Sequence, residues 1–217
     1  MKMVCFRMGV MLLLVFNAIT ACSKPEVTIT KVTKDGIEKL TVDAGTTELH
    51  FYKDNTTRVE GLGQLDFLRK VTFMMTPFIQ DYNFITDNPN IEILAFDTCS
   101  LNNLNFISRL SNLKILSFKA CRLPSLQFDF HNNEKLELLR FNNIRLIGEK
   151  SRILSVPDLV NVPTTLQFID LSFNEIKTVS DSFIEATQNI MAEIFLALPS
   201  RSYFPSMFRM ILEICPA

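Results

Sequence analysis

The sequence predicts an α/β repeat solenoid: a curved parallel sheet, an irregular or short-helical convex side, and an N-terminal β-hairpin cap. Three observations predict it. The segment NLKILSFKACRL, Asn112 to Leu123, restates NIEILAFDTCSL from 22 residues earlier, and TLQFIDLSFNEI, Thr165 to Ile176, restates it again. Within each copy two apolar residues stand one apart, the alternation of a short strand with one face buried. Ahead of the copies, β-branched alternation on both sides of Asp35-Gly36 signals a tight hairpin.

Taken from the start of the chain, Lys2 and Arg7 supply a positive n-region ahead of a nine-residue apolar run, Met8 to Phe16, too short to span a bilayer as a helix. That is the pattern of an export signal. Ile19-Thr20-Ala21-Cys22 then resembles the lipobox of bacterial lipoproteins: an aliphatic residue, a small one, Ala, and the required Cys. The resemblance implies a thioether-linked diacylglycerol on Cys22, cleavage after Ala21, and attachment to a membrane by two or three acyl chains. Ordinary signal-peptidase cleavage after Ala21 is the alternative. Ser23, rather than Asp, after the Cys implies the outer membrane. Residues 1–21 are thus read as signal peptide and 22–45 as lipidated Cys, tether and hairpin cap, the hairpin built from Val27–Val32 and Ile37–Val42.

From Thr46 a period takes over. Leu68, Val71, Phe73, Thr76 and Phe78 share a template with Ile91, Leu94, Phe96, Cys99 and Leu101, and with Leu113, Leu116, Phe118, Cys121 and Leu123. Leu136, Leu139, Phe141 and Leu146 follow, then Leu166, Ile169, Leu171, Asn174 and Ile176; the starts lie 23, 22, 23 and 30 residues apart. A degenerate copy with Leu49, Phe51 and Asp54 precedes them. This pattern resembles the leucine-rich repeat over residues 46–190, with Ile144 in place of the expected Asn, Cys or Thr, and an insertion, Gly148 to Thr165, lengthening the fourth unit. A single unit buries too little to offset the backbone entropy of its twenty-odd residues, so the units must stack and share one core. Residues 191–217 are read as a C-terminal cap, with a further worn unit around Ile194 and Leu196 as the alternative.

Numbering each unit from its first apolar residue, places 4 and 6 point inward, and places 3, 5 and 7 point out on the concave side. Place 3 carries Lys70, Ile93, Ile115, Leu138 and Phe168; place 5 carries Thr72, Ala95, Ser117, Arg140 and Asp170; place 7 carries Met74, Asp97, Lys119, Asn142 and Ser172. Four successive large apolar residues on a surface facing water would form a contact patch. The expected partner-binding residues are therefore Ile93, Ile115, Leu138 and Phe168 as anchors, with Asp97, Lys119, Arg140 and Asp170 as a polar rim. The ligand class is a protein or glycan-bearing partner. The alternative is a structural or self-associating envelope lipoprotein whose stripe is covered by another copy or by its own tail.

Chemistry beyond binding finds little support. The 22 Lys and Arg against 23 Asp and Glu leave no single-sign field for nucleic acid, and removal of Lys2 and Arg7 gives a formal charge of −3. His50 and His131 lie in no nucleophile or metal motif, and no Cys/His spacing suggests zinc, so no catalytic residue, metal or cofactor is expected. A Ser beside His131 in space, or a site within the insertion, stays open as an enzyme reading. Cys99 and Cys121 fall at the same place in adjacent units, as free thiols in the favoured reading or as a disulfide in the other, while Cys215 is left over near the end. Asn55-Thr56-Thr57 forms a glycosylation sequon with no weight in a bacterial lipoprotein.

Overall fold

In the computed structural model, the described residues are 25–53, 55–188 and, as backbone only, 194–195. The signal peptide, Cys22, Asp54, Cys215 and most of 191–217 lie outside them. In chain order the strands are β1 (Glu26–Thr33), β2 (Ile37–Asp43), β3 (Glu48–Tyr52), β4 (Thr56–Glu60), β5 (Lys70–Met74), β6 (Ile93–Asp97) and β7 (Ile115–Lys119). These are followed by β8 (Arg122–Leu123), β9 (Gln127–Asp129), β10 (Leu138–Asn142), β11 (Arg145–Leu146), β12 (Asp158–Val160), β13 (Phe168–Asp170) and β14 (Ile194–Phe195). Among the described residues the one α-helix, α1 (Asp181–Thr187), is capped by the Ser180 hydroxyl, which accepts from the Phe183 N–H.

The main sheet runs β3-β5-β6-β7-β10-β13-β14, parallel throughout, so the chain is a leucine-rich-repeat-like solenoid with one strand per turn. Its register pairs like places: Leu49, Val71, Leu94, Leu116, Leu139 and Ile169 stand side by side, all buried. The hairpin is present, with β1 pairing β2 antiparallel across the Asp35-Gly36 turn. It is larger than the sequence suggested, because β4 leaves the first turn of the solenoid to pair with the other edge of β1. Ile29 and Val59 on the inner face of this small sheet are fully buried and close that end of the core.

Inward place 6 holds a column of rings. Phe51, Phe73, Phe96, Phe118 and Phe141 stack with centroids 5.0, 5.6, 5.4 and 5.7 Å apart and interplanar angles of 10–20°. The spacing follows from the separation of about 4.8 Å between neighbouring strands, which brings identical aromatic side chains into near-parallel contact. Tyr82, Phe106 and Phe128 pack against this column from the convex side.

Place 9 carries polar groups that reach the preceding turn. The Cys99 thiol donates to the Phe73 carbonyl and the Cys121 thiol to the Phe96 carbonyl, each at 3.5 Å. Asn174 does the same more fully: its amide donates to the Phe141 and Leu171 carbonyls and its oxygen accepts from the Ile144 N–H at 2.8 Å. Ile144 has no polar group to offer, and it is fully buried instead. Both cysteines are free thiols, and burial pushes the Cys121 thiol up, so it keeps the proton it donates. A second polar ladder runs along the convex side. Asn88 donates to the Leu62 and Leu65 carbonyls, and Asn133 to those of Ile107 and Leu110, at 2.8–3.0 Å.

Two details differ from expectation. In the unit that starts at Leu68, Ile79 is buried and Phe78 is not: Pro77 shifts the chain by one residue, and Phe78 lies outside under the Lys34 ammonium, 3.5 Å from its ring centroid. The insertion is also part of the fold. Its β12 pairs in parallel with β9 on the convex side, and Ile153, Val156 and Leu159 join the core.

Every strand of the main sheet from β3 to β13 is followed by a turn whose residue at place 8 has positive φ: Lys53, Met75, Thr98, Ala120, Asn143 and Phe173. At Lys53, Met75, Thr98 and Ala120 the N–H at this place donates to the next turn, for example Met75 to the Asp97 carbonyl at 2.8 Å. A side chain in this conformation costs about 1–2 kcal/mol, and Phe173, 67% exposed, returns little packing for it. Phe173→Gly is therefore expected to stabilise the fold by about 0.5–1 kcal/mol after glycine's own entropy cost. A raised thermal midpoint meets that expectation, and a lowered one shows that the ring is held by contacts worth more than the strain.

Candidate binding face

The concave surface is the outer face of the main sheet, and its columns follow from strand register. At place 3, Glu48, Lys70, Ile93, Ile115, Leu138 and Phe168 are successive neighbours. The four expected anchors are thus brought together as one stripe. All four are half-buried, so the stripe is less open than the sequence implied. Side chains repeated every 4.8 Å or so cover one another's flanks, and a column exposes ridges rather than whole residues.

The expected rim charges are also brought together, but as pairs. Lys119 meets Asp97 at 3.2 Å and Arg140 meets Asp170 at 3.2 Å, each across one strand boundary. A third pair, Lys70 with Glu48 at 2.8 Å, begins the place 3 column. His50 Nε2 lies 3.4 Å from the same Glu48 carboxylate. The Lys70 hydrogen bond is the main reason that the Glu48 carboxyl sits below its usual range. Sequence reasoning placed these charges in the right columns without seeing that they neutralise each other.

Across the boundary between β10 and β13 lies a network not legible from the sequence. Asp170 is mostly buried in its side chain. Burial acts to raise its carboxyl, but hydrogen bonds from the Ser172 hydroxyl and N–H, from Asn142 and from Arg140 outweigh this and hold it below the ordinary carboxylate range. The bonds are Arg140 Nε to Oδ2 at 3.2 Å, Asn142 Nδ2 to Oδ1 at 2.8 Å and Ser172 N to Oδ1 at 3.0 Å. Asn142 Nδ2 also donates to Ser172 Oγ at 2.7 Å. Between this network and the second strand the middle column is small, with Ala95 and Ser117 flooring the face.

A second alternating ladder flanks the sheet at place 2: Arg69, Glu92 and Lys114, with Glu92 bonded to Lys114 at 2.7 Å and lying 3.7 Å from Arg69. These pairs are partly open to solvent, and each contributes little by itself. Their alternation of sign opposes a slip of register by one turn, which would set like charges side by side.

On the convex side, Ser108, Asp129 and His131 line one open depression. His131 Nδ1 is 3.2 Å from Asp129 Oδ2, the arrangement of a base and its orienting acid. The Ser108 hydroxyl, however, donates to the Asn105 carbonyl at 3.1 Å, so no nucleophile–base hydrogen bond forms. Among the described residues no group of three or more His, Cys, Asp or Glu side chains could hold a metal ion, and no helix is long and apolar enough to cross a membrane.

No family model matches the chain, and no curated protein matches it. Among solved structures it is similar to a chain of the Toll–Spatzle complex of Drosophila, with 14% identity and a TM-score of 0.49 over 72% of this chain. It is also similar to an internalin of Listeria monocytogenes, with 13% identity and a TM-score of 0.34 over 67% of this chain. The match covers 24% of the first chain and 54% of the second.

Proposed function

We propose that this is a lipid-anchored protein of the bacterial envelope, held to the outer membrane through Cys22, that binds a protein or glycan-bearing partner on its concave face without catalysis. The domain plan is the one read above: signal peptide 1–21, anchor and hairpin cap 22–45, solenoid 46–190 and C-terminal cap 191–217. The observation that carries the reading is the uninterrupted stripe Ile93-Ile115-Leu138-Phe168, set in register beside charges that are closed among themselves. An apolar ridge next to neutralised polar groups can be desolvated by a partner without stranding a charge.

Leu138→Asp with Phe168→Asp is expected to weaken retention of envelope or host ligands by the purified protein at least tenfold, about 1.4 kcal/mol or more. Equal retention by the variant and the parent contradicts the reading. Size-exclusion chromatography over a range of concentrations separates self-association, which alone makes the species depend on concentration.

Anchoring has its own test. Cys22→Ala is expected to abolish incorporation of labelled lipid and to release the protein from membranes; labelling that persists in the variant contradicts the assignment of the lipobox.

A further inference from the structure

We propose that Cys99 and Cys121 form an oxidation site: as the chain folds in the presence of an exchangeable disulfide, the two thiols close to a disulfide that clips neighbouring turns of the solenoid together. Both stand at place 9, 22 residues apart, and the sheet sets them side by side. Phe96 faces Phe118 in the β6–β7 register, Ser100 bridges Arg122, and the Arg122 N–H donates to the Cys99 carbonyl at 2.9 Å. The register therefore holds on both sides of the pair. Neighbouring parallel chains lie about 4.8 Å apart, within the roughly 4.4–6.8 Å between Cα atoms that a disulfide spans.

The side chains reach as well as the backbone. One turn earlier the hydroxyl of Thr76, also at place 9, lies 3.4 Å from the Cys99 sulfur, so polar tips at this place touch across a turn boundary. Cys99 and Cys121 are close enough that each perturbs the ionisation of the other. In the reduced form the thiols turn to the Phe73 and Phe96 carbonyls, in long bonds at 3.5 Å. A thiol is a weak donor, so rotation about Cα–Cβ gives these bonds up at little cost. Both cysteines directly follow the positive-φ residues Thr98 and Ala120, and neither belongs to a strand of the main sheet. The turns can absorb the small approach that the bond requires.

Burial decides when the bond forms. In the folded chain Cys99 is 4% and Cys121 1% exposed, too little for a disulfide reagent to reach either sulfur. The two meet as soon as β6 and β7 pair, a contact close in sequence that costs little loop entropy, and they do so before the rest of the core closes over them.

The exchange balances with oxidised glutathione as the electron acceptor. The thiolate of one cysteine attacks a glutathione sulfur, which forms a mixed disulfide and releases one glutathione thiolate. The second cysteine, also as thiolate, attacks the protein sulfur of the mixed disulfide and releases the other glutathione. Two protons and two electrons leave the protein, and the two glutathione thiols carry them away.

The test refolds the full-length protein in detergent from denaturant and reductant, once into a mixture of oxidised and reduced glutathione and once into reduced glutathione alone. Peptide mass mapping without reduction is expected to find the peptide carrying Cys99 joined to the one carrying Cys121, two hydrogens lighter than their sum, in the first sample only. The joined form is expected to melt about 5–10 °C above the reduced form, because the closed loop restricts the unfolded chain. Cys121→Ser is expected to melt at the same temperature from both mixtures, and Cys99→Ala takes its place if that variant fails to fold. Four results overturn the inference: both cysteines still open to alkylation once the refolded protein is denatured, a glutathione adduct without the internal bond, a link from either cysteine to Cys215, or a joined form that melts no higher than the reduced one. None of them depends on what the concave face binds.

Discussion

Phe118→Ala is expected to destabilise the protein by about 3–5 kcal/mol, the largest effect of any single truncation in the fold. Phe118 is fully buried at the middle of the ring column, between Phe96 at 5.4 Å and Phe141 at 5.7 Å, and Phe128 touches it from the convex side. Removing the ring opens a cavity whose walls belong to three turns of the solenoid, and backbone hydrogen bonds fix the strand spacing, so the walls cannot close over it. Two ring–ring contacts within the column are lost as well, each worth about 0.5–1.5 kcal/mol. Denaturant unfolding followed by circular dichroism measures the effect. A loss below about 1.5 kcal/mol, of the order expected for a volume-conserving apolar swap, would show that the column is not a stack. Phe51→Ala, at the end of the column with one stacked neighbour, is expected to cost less.

Asn174→Ala is expected to cost about 3 kcal/mol, because buried groups left without a partner lose about 1–3 kcal/mol each. This side chain satisfies the Phe141 and Leu171 carbonyls and the Ile144 N–H at once, and it is nearly inaccessible to solvent. The turn it serves is also the one in which Ile144 replaces the usual polar residue, so no neighbour at that place can take over. Asn174→Asp, which keeps the acceptor for Ile144 and loses the donors, is expected to fall between Ala and the parent only when the carboxyl is protonated. Comparison of the melting temperatures of the two variants at neutral and acidic pH checks this. Equal stability of Asn174→Ala and the parent would mean that the carbonyls find other partners.

How much of this could be read in advance depends on whether a feature recurs at one fixed place. Leu116 and Phe118, or Leu139 and Phe141, recur with the period of the turns, so the strands and the inward pairs were legible. So was the concave column from Ile93 to Phe168, since place 3 follows from place 4. The convex ladder escaped because Asn88 and Asn133 occur only in alternate turns, each one turn after a Leu, Leu65 or Leu110, to whose carbonyl it bonds. The shift at Ile79 escaped because one Pro changes the phase without changing the composition. Phe173 and Met75 gave no sign of positive φ, since nothing but the turn's place in the repeat requires it. The candidate site was legible as columns and not as a network. Asp170 and Asn142 are 28 residues apart, and their bond exists because the insertion, which lengthens the unit between them, is absorbed on the convex side and leaves β10 and β13 in register.

The central functional claim is that the concave columns, and not the convex depressions, meet the partner. Site-specific photo-cross-linking of the full-length protein on intact cells tests it most directly, with p-benzoylphenylalanine placed in turn at Thr72, Ala95 and Leu138 on the concave face and at Asn105, Ser111 and Asn132 on the convex side. The account predicts a discrete adduct of new mass from the concave positions and none from the convex ones. Adducts from the convex positions alone, or a concave adduct of twice the protein's own mass, would contradict it.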